Sequence, residues 1–252
     1  MIKGLYAAAS SMVGLEKRHD VIANNLANAS TAGYKRSDGA FRGYLESYFG
    51  KPVHPSMFDA HRGPGGGMRI VETFTDWNNG PLATTGDPLN VALQGPGFLA
   101  VETPEGERFT RNGQLALNNL GQLVTEEGDL VLDQGGGPIT PESPDFEIDR
   151  EGGVSVGGVP IGQLRVVEFA EPGLLERRGR NLYAAPEQAI EETLPADNTV
   201  VTHRALEQAN VQTPTEMVNL LTGLRAYEAN QRVITTHDET MNQLISQVGM
   251  PS

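Results

Sequence analysis

The chain has 252 residues and no cysteine, so disulfides and thiolate metal sites are excluded. Positive charge is scarce: 19 Lys and Arg stand against 32 Asp and Glu, for a net charge of -13. Nucleic acid and anionic membrane surfaces need a basic face, and neither is an expected partner. No apolar run approaches the roughly 20 residues that a membrane-spanning helix needs. After Lys3 the apolar stretch is short and Ala-rich and is ended by Glu16-Lys17-Arg18, which is not the pattern of a cleaved signal peptide. These rules alone place the chain in the cytoplasm. Catalytic signatures are missing as well. There is no Gly-x-Ser-x-Gly and no His-Glu-x-x-His, and Gly63-Pro64-Gly65-Gly66-Gly67 lacks the Gly-Lys-Ser/Thr of a phosphate loop and reads as a hinge. Asp149-Arg150-Glu151-Gly152-Gly153 fails the alternating-oxygen pattern of a calcium loop and reads as a polar turn. His54 and His61 have no third ligand nearby and read as solvated loop residues. No enzyme activity, cofactor or metal is expected.

What the sequence does contain is unevenly placed. Its 30 Gly and 16 Pro are thin at both ends and dense between about residues 50 and 195. From Met68 onward the apolar period is two, with candidate strands at Ile70–Thr75, Leu89–Leu93, Phe98–Glu102, Phe109–Arg111, Leu115–Leu117, Leu123–Thr125, Leu130–Leu132, Phe146–Ile148, Val154–Val156 and Leu164–Phe169. Asn79-Gly80 has hairpin-turn chemistry. Turns are also expected at Pro104-Glu105-Gly106, Asn112-Gly113 and Asn118-Asn119-Leu120-Gly121. Short strands at this spacing predict an all-β domain in a barrel-like or sandwich form. Residues 170–200 are polar and are expected to return the chain to its end. Trp77 is expected in a core or a domain contact.

The two ends have helical periodicity. Thr213, Pro214 and Glu216 form a helix start with a capping box, and an uninterrupted pattern then runs to Val248. Met217, Leu224 and Ile245 occupy one heptad row, broken by Gln231 and Asp238; Leu220, Tyr227, Ile234, Met241 and Val248 occupy the other. Residues 5–26 repeat the pattern, with Leu5, Met12, His19 and Leu26 in one row and Ala8, Leu15 and Ile22 in the other. Such rows suit a coiled-coil seam or an amphipathic helix on the protein's own core. Five or six seam residues contribute roughly 1.5–3 kcal/mol each. Ordering some 60 residues costs about 1–2 kcal/mol per residue. The ends are therefore expected to be loose until further neighbours cover them. Asn24, Asn25 and Asn28 crowd the close of the first helix, where side-chain amides either bond a specific partner or fray the helix into the turn at Gly33.

Asn24-Asn25-Leu26-Ala27-Asn28 with Thr31, Gly33, Tyr34 and Lys35 resembles the N-terminal signature of the flagellar basal-body rod and hook proteins. Leu206-Glu207-Gln208-Ala209-Asn210-Val211 and Arg225-Ala226-Tyr227-Glu228-Ala229-Asn230 are similar to the family's C-terminal blocks. Pro88–Phe98 and Phe109–Gly113 are similar to blocks of the rod members. The likeness covers nearly the whole chain, and it leaves the proximal and the distal rod protein both open.

The resemblance implies an α+β subunit in which N- and C-terminal helices pair as a coiled-coil-like polymer core (1–35 with 205–252). A connecting region (36–79) and a central all-β domain (80–200) complete it. It further implies a periplasm-spanning rod, with other copies and other rod and hook proteins as partners and without membrane insertion. Delivery is implied through the flagellar export apparatus without a cleaved signal. Interface residues are then expected at Leu5, Met12, Leu15, Ile22, Asn24, Asn25, Leu26, Asn28, Met217, Leu220, Leu224, Tyr227, Asn230, Ile234, Met241 and Ile245. Phe41 with Leu45 is the candidate export motif. The competing reading from residues alone is a β-rich ligand- or carbohydrate-binding module with helical dimerisation arms.

Overall fold

The computed structural model describes residues 2–44, 67–141, 143, 146–186, 189, 193–195 and 198–248. The chain divides into two compact units, one formed by the described residues of 1–26, 37–74 and 213–252, the other by those of 27–36 and 75–212. Residues 27–36 and 205–212, sequence neighbours of the two helices, thus fold with the β-rich unit.

In the first unit, helix α1 spans Ile2–Ala27 and helix α2 spans Thr213–Val248. Strand β1 (Ser37–Tyr44) pairs with β2 (Gly67–Thr75). A Cβ built on Gly4 would lie 3.2 Å from Nε2 of His237, and one on Gly223 would lie 2.4 Å from Nε2 of His19. The contacts run in opposite order along the two helices, so α1 and α2 are antiparallel. Absence of a side chain at Gly223 is what leaves room for the His19 ring. Ala8, Leu15 and Ile22, seven residues apart, are the buried row of α1.

The second unit is built around strand β5 (Phe98–Thr103), whose first four residues are all buried. Successive strand residues point to opposite faces, and here both faces are covered. Leu99 and Val101 join Val91, Leu93, Leu123, Val131, Phe146 and Leu164 in one core. Phe98 and Ala100 join Phe109, Phe169, Leu175 and Tyr183 in another. This explains why the segment reads as a continuous apolar run rather than an alternating one.

Around β5 the sheet contains β6 (Gly106–Thr110), β7 (Leu115–Leu117), β8 (Leu123–Thr125) and β9 (Leu130–Val131). The hairpin β10 (Glu147–Ile148) and β11 (Gly153–Val156) pairs onward with β12 (Val159–Gln163) in a separate sheet. Strand β13 (Val166–Phe169) lies against β5, and β14 (Glu176–Arg177) and β15 (Leu182–Ala184) extend the sheet beyond β6. The path runs β14-β15-β6-β5-β9-β8-β7 and does not return on itself. It is an open sheet, so the expected barrel does not close. Strands of two to six residues give little length over which to bring the edges together.

Three expectations need correction. The polar stretch 170–200 is not a plain return: it contributes β14, β15 and β16 (Thr193–Pro195), which pair within the sheet, with Tyr183 of β15 in the aromatic core. Asn79-Gly80 does not turn a hairpin, because β2 pairs with β1, and β3 (Leu82–Thr84) pairs with β18 (Ala205–Glu207), next to the pair of β4 (Val91–Gln94) with β17 (Val200–His203). Nor does Asn112-Gly113 connect paired strands. Its Gly113 is pressed against Val91, where a Cβ would sit 1.6 Å from the carbonyl oxygen. By contrast, Asn118–Gly121 turns β7 into β8, with Gly121 at φ 72°. Asp149 Oδ1 accepts from the backbone N–H of Glu151 and Gly153 to form the polar turn between β10 and β11.

Leu99→Ala should lower the unfolding free energy by about 2–5 kcal/mol. Leu120→Ala, at a turn tip with 75% exposure, should change it by less than about 0.5 kcal/mol. Urea titration followed by the fluorescence of Trp77, the one tryptophan, distinguishes the two.

Candidate functional site

Two groups of residues stand out, one in each unit. In the β-rich unit, three charged side chains meet away from solvent. Lys35 follows the turn after α1, Arg111 follows β6, and Glu207 ends β18. Lys35 Nζ donates to Glu207 Oε1 at 2.7 Å, with both side chains 1% exposed, and to Asn78 O at 2.9 Å. Gly80 N donates to the same Oε1 at 2.8 Å. Arg111 Nη1 stands 3.7 Å from Glu207 Oε2, and its guanidinium lies over the Phe98 ring, 4.6 Å from the centroid.

The backbone around the charges is held as tightly. Gly33 N donates to Glu207 O at 2.7 Å. Gly33 has φ 67°, and a Cβ there would lie 2.1 Å from Arg111 O; this is the close approach that requires glycine at the position. Asn210 accepts from Arg36 N at 2.6 Å and donates to Asp76 O at 2.8 Å and Asn78 O at 3.0 Å. Arg177 donates to Lys35 O and lies over the rings of Tyr34 and Tyr183. Trp77 packs on Phe98 and Tyr183, with centroids 5.3 and 5.0 Å away. Asn79, with its amide nitrogen on Gly95 O and its oxygen on Gly95 N, makes two bonds of 3.1 Å.

Burial holds Lys35 below its usual pKa, although Glu207 pulls the other way. Burial likewise lowers Arg111, against the attraction of Glu207. Tyr183 is pushed up to about 12 by desolvation. In this arrangement Glu207 Oε1 accepts from Lys35 and the Gly80 N–H, while Oε2 has Arg111 at 3.7 Å and accepts no hydrogen bond. The chemistry of the arrangement is cohesion. It ties 33–36, 76–80, Arg111 and 205–210 into one knot. Sequence reading assigned none of Lys35, Arg111 and Glu207 a role. The available signal was that three separate motif blocks each carry one charged residue among apolar and small neighbours.

In the helical unit the seam residues divide. Leu15 and Ile22 are buried, and Leu5, Met12 and Leu26 are half-buried. On α2, Leu220, Tyr227, Asn230 and Ile234 are half-buried along the same face as Gly223 and His237, whereas Met217, Leu224, Met241 and Ile245 are exposed. Asn25 is buried: its amide donates to Ser37 O at 2.7 Å and accepts from Ser37 N at 2.8 Å, clamping the first strand to the helix end. Asn28 accepts from Thr31 Oγ1 at 3.4 Å, and Asn24 is exposed. Phe41 falls in β1; Leu45, His54, His61 and Gly63–Gly66 lie outside the described residues. Among the described residues there is no cluster of three or more metal-ligating side chains, and no helix is long and apolar enough to cross a membrane.

Family comparisons cover three blocks. Residues 5–35 match the family described as flagella basal body rod protein. Residues 92–156 match the D1 domain of the flagellar hook protein FlgE/F/G, and 203–247 match the flagellar basal body rod FlgEFG protein C-terminal region. Over 263 residues the chain is 33% identical to the flagellar basal-body rod protein FlgG of Caulobacter vibrioides, covering 98% of this chain and 99% of that protein. It is 33% identical over 260 residues to the FlgG of Buchnera aphidicola subsp. Schizaphis graminum, at 97% and 99% coverage. To the flagellar basal-body rod protein FlgF of Caulobacter vibrioides it is 30% identical over 257 residues, with 99% of each covered.

Glu207→Gln leaves two buried cations without their counter-charge and should cost about 3–5 kcal/mol of stability, read from the urea midpoint of Trp77 fluorescence. Alkaline titration provides a second check. Between pH 10 and about 12 the folded chain retains the Tyr183 proton while the unfolded chain loses it. Stability should therefore fall with pH there, at up to about 1.4 kcal/mol per pH unit. The lowered Lys35 acts oppositely, its stability cost fading as pH rises to 10.5, the usual lysine value. Arg111, also lowered by burial, acts in the same sense as Lys35, so the contribution of Tyr183 is read by difference: Tyr183→Phe should flatten the decline in pH-dependent urea melts.

Proposed function

Since this chain belongs to the flagellar basal-body rod family and is a structural subunit of the rod rather than an enzyme, we propose that it polymerises helically through α1 and α2. The polymer forms a drive shaft that encloses the export channel, with the β-rich unit as its outer shell. The observation that carries this reading is the exposure of Met217, Leu221, Leu224, Met241 and Ile245 on one helix. A soluble chain leaves that much apolar helix surface open where another chain is to cover it. The interface assignment covers Leu5, Met12, Leu15, Ile22, Asn24, Asn25, Leu26, Asn28, Leu220, Tyr227, Asn230 and Ile234 as well. Buried members set the pairing within one subunit, and exposed members meet neighbours.

In this reading torque passes between subunits by packing and within a subunit through the chain segments that the Lys35–Glu207 knot holds. Partners are further copies, other rod and hook proteins and the export apparatus, which reads Phe41 and Leu45. The helical ends travel unfolded and order on assembly, because the seam alone offsets too little chain entropy. The rod spans the periplasm, and its subunits reach it without a cleaved signal.

Electron microscopy of basal bodies from a strain lacking this chain tests the proposal. Rods should be absent or stop short of the hook, and the length of the stub then tells which part of the rod the chain builds. Intact rods carrying hooks and filaments would sink the reading.

A further inference from the structure

Asn-Gly occurs twice in the chain, at Asn79-Gly80 and Asn112-Gly113. Neither pair turns a hairpin, and both adjoin the Lys35–Glu207 knot. They share a chemical liability. Asparagine is thermolabile, and a glycine after it leaves the next backbone nitrogen unshielded and free to turn. That nitrogen can attack the asparagine Cγ. A C–N bond then closes a five-membered succinimide, and ammonia leaves. Water opens the ring at one carbonyl to give aspartate, or at the other to give isoaspartate. In isoaspartate the backbone runs through the former side chain and is one methylene longer.

The fold closes this route at both pairs. Gly80 N–H is committed to Glu207 Oε1 at 2.8 Å, and the carboxylate opposes the proton loss that attack requires. A Cβ on Gly80 would lie 1.9 Å from Gln208 O, so the backbone there has no room to swing toward Asn79. The Asn79 amide is itself held by Gly95 N and O. At the second pair, Asn112 Oδ1 accepts from Gln114 N and Asn112 N donates to Thr110 Oγ1, each at 3.0 Å. Gly113 is buried against Val91 O.

The same contacts leave no space for an added methylene. Asn79 stands between two anchors. On one side Asn78 O accepts from Lys35 Nζ at 2.9 Å and from Asn210 at 3.0 Å; on the other Gly80 N donates to Glu207. One more backbone atom between them pulls one anchor away. Asn112 stands between Gly113 and Arg111, whose carbonyl oxygen would lie 2.1 Å from a Cβ on Gly33. We propose that Asn79 and Asn112 are modification sites open only while the β-rich unit is unfolded, and that isoaspartate formed at either keeps the knot from closing. The two pairs thereby record, as a covalent change, the time a chain spends unfolded.

The test needs no variant. The full chain is incubated in mildly alkaline buffer, with and without guanidinium chloride at a concentration that unfolds it. Loss of each asparagine is followed by peptide mass spectrometry, with isoaspartate counted by enzymatic methylation. Both sites should convert at least about tenfold more slowly in the folded chain, where reaction waits for a local opening. The aged, unfolded chain is then diluted out of denaturant and digested briefly, beside a fresh chain that sets the yield of protease-resistant β-rich core. Isoaspartate at position 79 or 112 should be depleted from the resistant core at least about tenfold, because a knot that cannot close leaves buried charges unmatched. Equal conversion with and without denaturant would overturn the proposal. So would a resistant core that carries isoaspartate at these positions as often as the digested fraction does.

Discussion

A carboxylate sealed from water must be matched by cations or it will not stay charged. Glu207 meets this requirement with Lys35, Arg111 and the Gly80 N–H, and the joining of 33–36, 76–80 and 205–210 depends on the match. The Lys35–Glu207 pair is 172 residues apart in sequence. Loop-closure cost grows only slowly with such a span, so the separation is no bar to the contact. Cations and carboxylate are buried together, so removing the carboxylate leaves both cations without a counter-charge.

Beside this knot, β5 solves a different problem. A short sheet with one wet face buries little apolar surface. Placing Leu99 and Val101 in one core and Phe98 and Ala100 in the other makes a single strand serve both. Arg111 connects the two solutions, since its guanidinium rests on Phe98 while it faces Glu207. The charged knot is therefore packed on the aromatic core, and a disturbance in either is felt in both.

The helical unit is built on the opposite principle. Its two helices share one seam, with histidines set against glycines at Gly4 and Gly223, and much of the apolar surface of α2 stays outside it. A self-sufficient domain would cover those residues. In the rod reading proposed above, those residues are left for neighbouring subunits.

Local pattern alone determined the two helices, most of the strands in 90–170 and the acidic, cysteine-free character of the surface, because period and turn chemistry act over a few residues. Asn118–Gly121 and the Asp149 turn were legible for that reason, and the motif blocks identified the family. Tertiary structure decided what depends on distant partners. Asn79-Gly80 has the chemistry of a hairpin turn, yet Gly80 is used to reach Glu207 and to let Gln208 approach. Strands β14 to β16 are only two or three residues long, too short for a side-chain period to be read. On α2 the inward face passes through Gly223 rather than Leu224, because a missing side chain admits His19 where a leucine would not. A glycine carries no hydrophobic signal, so only the packed helix pair could reveal which way α2 is turned.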